Sequence, residues 1–334
     1  MPGTLSLRLE QSVVPMSVSH VADCPDLGPE CFESGPRPTP YWHFVDQVIA
    51  ETVFDVSLGL TEWLAVEARW SLRVADVHPT YAELDGTPKL VPDDIHHHDE
   101  TLVDPTDPWL LVRLATVDER GFVGSLRLGA SFPVGRTEPD PYVLGRSGLR
   151  HQHLQAGTGT LVPIVGLGLG TTLLESSAAP VTLSVAALGF FNAYANGEGF
   201  QAPVRLYASH RVGVSVLDRT LTPFVEGILA HEGEEFWAGE VGLEGSNVRT
   251  EVYVGGGLAW RFYDRWSVDA TARGRVAALT DAPVFRSYGL FSLGLSTSFD
   301  LWTEAAPEPA ASEPRDGPTI RTRQKDGVVE FEKD

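Results

Sequence analysis

Apolar and polar residues alternate along most of this chain. In 266–276, Trp266, Val268, Ala270, Ala272 and Val276 share one face, and Ser267, Asp269, Thr271, Arg273 and Arg275 the other. Segment 63–74 sets Leu64, Val66, Ala68, Trp70, Leu72 and Val74 against Glu67, Arg69, Ser71 and Arg73. Segment 288–302 sets Phe291, Leu293, Leu295, Phe299 and Leu301 against Ser292, Ser296, Ser298 and Asp300. A period of two marks a strand with two unlike faces. These runs are long, about 12–16 residues, where strands of globular domains average roughly 5–6. No comparable stripe at the 3.6-residue period appears, so almost no helix is expected.

Twelve such runs can be traced, at about 4–18, 43–60, 62–76, 107–117, 121–134, 152–174, 180–194, 203–217, 220–231, 249–263, 266–279 and 284–302. Short connections alternate with long ones. The short ones lie near Thr61–Glu62, Asp118–Arg120, Ser176–Ala179, Asp218–Arg219 and Asp264–Arg265. The long ones fall at about 19–42, 77–106, 135–151, 195–202, 232–248 and 280–283. An even number of strands with turns sorted by length is the pattern of an outer-membrane barrel. Closure is required there because hydrocarbon cannot satisfy a free sheet edge. A soluble all-β barrel or sandwich also alternates but has no reason to sort its turns. Aromatics favour the membrane form. Trp63, Phe224, Trp260 and Trp266 sit near short turns, and Tyr41, Phe44, Trp109, Phe132, Phe190 and Phe191 near long connections, which suggests two girdles. The expected fold is a single closed antiparallel transmembrane β-barrel of about twelve strands over residues 1–302. Residues 303–334 then form a flexible periplasmic tail, in which TIRTR–QKDG–VVEFE has the alternation of one short hairpin.

Charge refines this picture. The chain has 25 basic and 45 acidic residues, a net of −20. That balance excludes a nucleic-acid partner, whose phosphates require Lys and Arg. No run of about 18 apolar residues could make a transmembrane helix. The six long connections carry −15 of the charge and leave the wall nearly neutral. The acid is therefore displayed on one rim. Charges of both signs nevertheless fall on the polar face of the strands. Arg69, Arg73, Arg113, Arg127, Arg205, Arg211, Glu51, Glu67, Glu226, Glu251, Asp269 and Arg273 are the candidate pore-lining residues, with Arg8, Glu10, Asp55, Arg261 and Arg275 on the same face. Confined charges of this kind should form ion pairs across strands. They either rigidify a filled barrel or line a narrow polar channel.

Cys24 and Cys31 lie close together in the first long connection, and an exported protein would join them as a disulfide. Strand-like residues follow Met1 directly, so the leader that export requires is expected to have been lost from this sequence. Nine of the ten histidines lie in or beside long connections. His96 and His98 among acids, and His151 and His153 on one side of an extended segment, are candidate ligands for a divalent metal. Solvated surface histidines are the plainer reading. Ser209 and His210 are adjacent but point to opposite faces, so they make no catalytic pair. No enzyme and no cofactor other than such a metal is expected.

One stretch bears a family resemblance. Residues 104–136, DPTDPWLLVRLATVDERGFVGSLRLGASFPVGR, resemble the bacterial outer-membrane transporter barrels of the phenol-degradation MetA-like group. In that group a strand closes on a Pro-Thr-Gly turn; here the turn is Phe132-Pro133-Val134-Gly135, and Asp107 lacks the preceding Gly-Leu-Gly. QAGTGTLVPIVGLGLG (155–170), TEWLAVEAR (61–69) and YDRWSVDATAR (263–273) are similar to other strand units of the group. The resemblance implies an outer-membrane barrel that passes small, often apolar molecules. It carries over no functional residue. Three functions remain open on this reading: a passive channel or transporter for small solutes, a metal-binding surface barrel using the histidine loops, and a structural barrel closed by its own ion pairs. Outer-membrane lipid and a small-molecule solute are the expected partners.

Overall fold

A computed structural model describes residues 2–22, 39–90, 98–118, 121–151, 153–175, 179–241, 248–263, 265–279, 285–301, 320–325 and 328–333. Met1–Asp300 and Leu301–Asp334 are two compact units. The first is a closed antiparallel barrel of twelve strands. The strands are β1 (Thr4–Ala22), β2 (Tyr41–Gly59), β3 (Leu64–Ala82), β4 in two pieces (Glu100–Pro105 and Trp109–Val117), β5 (Val123–Ser131), β6 (Val162–Leu174) and β7 (Val181–Phe190). They continue as β8 (Arg205–Val214), β9 (Leu221–Glu232), β10 (Arg249–Phe262), β11 (Trp266–Ala278) and β12, again in two pieces (Phe285–Ser287 and Gly289–Asp300). Each pairs with its chain neighbours, and β1 closes the ring by pairing with both β2 and β12. In the second unit Ile320–Lys325 pairs with Val328–Lys333 as a hairpin.

The twelve-strand count matches the alternation in the sequence. Turns on one side are tight. Between β8 and β9, Leu217, Asp218 and Arg219 all adopt positive φ (50°, 53° and 65°), and the Thr220 hydroxyl donates back to the Leu217 carbonyl at 2.6 Å. On the other side the wall is uneven. β1, β2 and β3 run 19 residues each, whereas β5 has 9 and β7 and β8 have 10. A strand needs about 9–11 residues to cross a bilayer, so roughly half of each long strand extends beyond that span on the side of the long connections.

The two faces of the wall differ as the alternation requires. Outward positions are apolar and open: Leu167 (56% exposed), Leu169 (50%), Val225 (61%), Leu258 (44%) and Leu293 (56%) are typical. Inward positions hold Glu226, Glu251, Thr271 and Ser292, all buried. A soluble protein does not expose an apolar belt around its whole circumference. His210 lies on this outer face and packs against Gly227 of the adjacent strand. A Cβ at Gly227 would stand 2.4 Å from the imidazole, so glycine makes the groove in which the ring rests.

Several expectations change. The expected strand 152–174 begins only at Val162. Residues 132–161 are instead a connection that contains the only helix among the described residues, α1 (Pro141–Arg146). Asp140 caps α1 by accepting from the backbone N–H groups of Tyr142 and Val143, and Pro141 occupies the first turn, where no N–H is needed. The two aromatic girdles are thinner than expected. Trp63, Trp260, Trp266, Phe44, Phe132 and Phe191 are exposed on the outside, but Tyr41, Phe190 and Phe224 are buried inside. Each inward aromatic shares the parity of an inward polar residue on its strand, as Phe224 does with Glu226.

Candidate functional site

The charges inside the barrel are joined across strands. The buried Glu226 carboxylate accepts from Arg211 at 2.8 Å and from Arg273 at 2.5 Å. Glu67 is shared by Arg113 (3.1 Å) and Arg127 (2.8 Å). Arg8 reaches Asp269 at 2.5 Å and Glu10 at 2.6 Å. It crosses the intervening β12 over Gly294, where a Cβ would lie 2.3 Å from the guanidinium. Glu251 accepts from Arg275 at 2.7 Å and from the Tyr253 hydroxyl at 2.8 Å. Arg205 stacks on Phe190, 4.9 Å from the ring centre, and Arg211 on Phe224 at 4.0 Å. Glu51 accepts from the Ser71 hydroxyl. Arg69 lies over Trp109 at 5.1 Å and faces Asp55 at 3.6 Å. All twelve candidate residues thus lie on the inner face. Burying such charges costs several kcal/mol each unless they are paired, and most of them are.

The connection 132–161 enters this lumen. Asp107, in the break between the two pieces of β4, holds both of its ends. One carboxylate oxygen accepts from the N–H groups of Val134 (3.0 Å) and Gly135 (2.8 Å). The other accepts from the N–H and hydroxyl of Thr158 at 2.7 and 2.8 Å. Leu154 then packs against Val18, Val45 and Val77 on the inner faces of β1, β2 and β3. Arg73 donates to the Gln155 carbonyl at 3.2 Å, and the Glu138 N–H donates to the Gln155 side chain at 2.8 Å. Arg136 forms a two-pronged pair with Asp104 (2.8 and 3.0 Å). Of the six long connections this segment is the one with net positive charge, +1 over 134–150. It is therefore suited to a lumen rim lined by Asp104 and Asp107. Desolvation lifts the Glu138 carboxyl above the usual glutamate range, and nearby Arg136 offsets part of that.

Other connections lock onto it. Asn196 donates to the Thr158 carbonyl at 3.2 Å, and the Leu161 N–H donates to the Tyr194 hydroxyl at 3.0 Å. Tyr142, Phe200, Ala202 and Trp237 form a small apolar core that ties three connections together. Toward the short turns the lumen stays open. A cavity of about 630 Å³ lies there, lined by Arg8, Asp55, Arg69, Trp109, Arg127 and Arg261 among others.

The candidate metal ligands are spread through this architecture. His96 lies outside the described residues, as do Cys24 and Cys31. His98 faces Glu100 at 3.3 Å. His151 is buried in the inserted connection with Nδ1 3.0 Å from the Leu149 carbonyl, and the His153 ring stands 5.4 Å from that of His151 and 5.8 Å from Tyr142. Among the described residues no three His, Cys, Asp or Glu side chains converge as a metal cage would require. Ser209 and His210 alternate along β8, and the exposed His210 ring rests on Gly227 at the outer face, away from the Ser209 side chain. Sequence reasoning missed Asp107 as an anchor. The available signal was a carboxylate between Thr106 and Pro108, where a proline interrupts the strand pairing.

No protein-family model matches the sequence, and no curated protein matches it. Among solved structures, an outer-membrane channel from Pseudomonas putida F1 is similar, with a TM-score of 0.54 and 11% identity over 90% of this chain and 97% of that one. Two looser likenesses are the transport unit of the autotransporter AIDA-I from Escherichia coli (TM-score 0.41, 10% identity, 90% of each chain) and the toluene transporter TodX from P. putida (0.37, 9%, 91% of each). At those scores they say nothing of this chain. The first shows that the fold is shared with a known structure.

Proposed function

We propose that this protein is a passive outer-membrane channel for small solutes. The observation that carries the reading is an apolar outer wall around a polar, ion-paired interior that holds a 630 Å³ cavity. Lipid is the solvent that such an outer wall suits. Short turns then face the periplasm and the acidic connections face outward. The similar P. putida protein is named an outer-membrane channel, which agrees with this reading. Movement down a gradient needs no cofactor and no catalytic group. A second reading, a closed structural barrel, is favoured by one feature, the seating of Leu154 against Val18, Val45 and Val77. Swelling of liposomes loaded with the purified chain separates the two. A channel admits small sugars and amino acids from the medium, and a closed barrel gives the rate of empty liposomes.

A further inference from the structure

The cavity beside the short turns has an unequal inventory of donors and acceptors. Of the two carboxylates that line it, Glu67 is held by Arg113 and Arg127, and Asp55 has Arg69 at 3.6 Å. Arg8 spends its donors on Glu10, Asp269 and Ser296, but the guanidinium groups of Arg69, Arg261 and Arg265 are not saturated. Each carries five N–H donors. Arg69 meets Asp55 only at 3.6 Å and keeps 40% of its side chain exposed. Arg265 approaches Asp300 no closer than 4.0 Å. Arg261 makes no ion pair among the described residues, and it lines the same space. Beside these donors stands an apolar surface of Trp109, Leu111 and Leu188, with the Arg69 plane lying over the Trp109 indole.

We propose that this cavity is a binding site for a small organic carboxylate with an apolar body. The carboxylate would take the spare donors of Arg69 and Arg261, and its apolar part would lie against Trp109 and Leu188. Arginine is suited to this because its fork meets both oxygens of a carboxylate. The volume falls within the range of small-molecule sites, about 300–1,000 Å³. The proposal rests on the channel reading, since a solute must reach the lumen to meet the site, and it narrows the solute to an amphiphilic anion.

The test is calorimetric titration of the full chain, folded in detergent micelles, with benzoate and with benzyl alcohol. Benzoate is expected to bind, and benzyl alcohol to bind at least about tenfold more weakly, the equivalent of one charge-assisted hydrogen bond. The double variant Arg69→Gln, Arg261→Gln should weaken benzoate by a similar factor or more and leave benzyl alcohol unchanged. If that variant does not fold, Arg261→Gln alone, at the end of β10, provides the same comparison. Equal affinities for the two probes, no benzoate heat above empty micelles, or unchanged binding in the folded variants would overturn the proposal. Conductance of the same preparation keeps the two readings apart. Conduction without benzoate binding defeats the site and leaves the channel. Benzoate binding to a folded but non-conducting barrel defeats the channel and leaves the site.

Discussion

The Asp107 carboxylate holds the backbone N–H and the hydroxyl of Thr158 at 2.7 and 2.8 Å, while its other oxygen holds Val134 and Gly135. One side chain thereby fastens both ends of the connection that enters the lumen. Hydrogen bonds to a charged acceptor contribute about 1.5–3 kcal/mol each. The wall itself keeps its own strand pairing without them. Asp107→Ala should therefore release the connection and spare the barrel. Single-channel steps are expected to grow severalfold, with the heat-modifiable migration of the folded barrel retained. Steps of unchanged size would show that the connection does not constrict the path.

Glu226 carries two arginines, Arg211 and Arg273, at 2.8 and 2.5 Å. Removing one partner of a buried charge cluster typically costs about 3–5 kcal/mol. Glu226→Ala leaves two cations facing each other and should fall in that range by denaturant unfolding in micelles. Replacing all three residues by apolar ones of similar volume should recover most of the loss.

The outer face gives a separate test. Leu167 and Leu293 are more than half exposed on the outer wall. An arginine facing lipid near the bilayer midplane costs about 2–4 kcal/mol. Leu167→Arg is expected to lower the stability of the lipid-embedded barrel by that order and to have a much smaller effect in a water-exposed position such as Leu90 (97% exposed). Equal effects at the two positions would argue against a lipid-facing wall.

Glu138 predicts a pH effect. Burial raises its carboxyl above the ordinary value of 4.5, so the docked connection binds this proton more tightly than a released one does. The stability from this group is fully present below the ordinary value and is lost as pH rises through the raised one. Conductance should therefore rise as pH increases across that window. Glu138→Gln should flatten the dependence. A profile identical in the variant would assign it to other groups.

Much of this was legible in the sequence. Alternation fixes which face each strand residue occupies, and so it placed Glu67, Arg113, Arg127, Glu226 and Arg273 inside together. It could not name partners, because the Arg8–Asp269 bridge depends on crossing β12 at Gly294, a three-strand relationship. The segment 152–161 misled for a physical reason. His153 and Gln155 alternate with Leu154 and Ala156 as in a strand, but the segment's bonds go to Asp107, Arg73 and Asn196 rather than to a neighbouring strand. Gly159 at φ 67° turns the chain away from an extended path. Inward aromatics such as Phe190 were assigned to a girdle by their distance from the strand end, whereas their parity with Leu188 put them inside.

The central claim is that solutes pass through this barrel, and planar-bilayer recording tests it most directly. The account predicts discrete conductance steps for the folded chain, larger in Asp107→Ala. Silent bilayers at every voltage with both proteins, each shown to be folded and inserted, would contradict it.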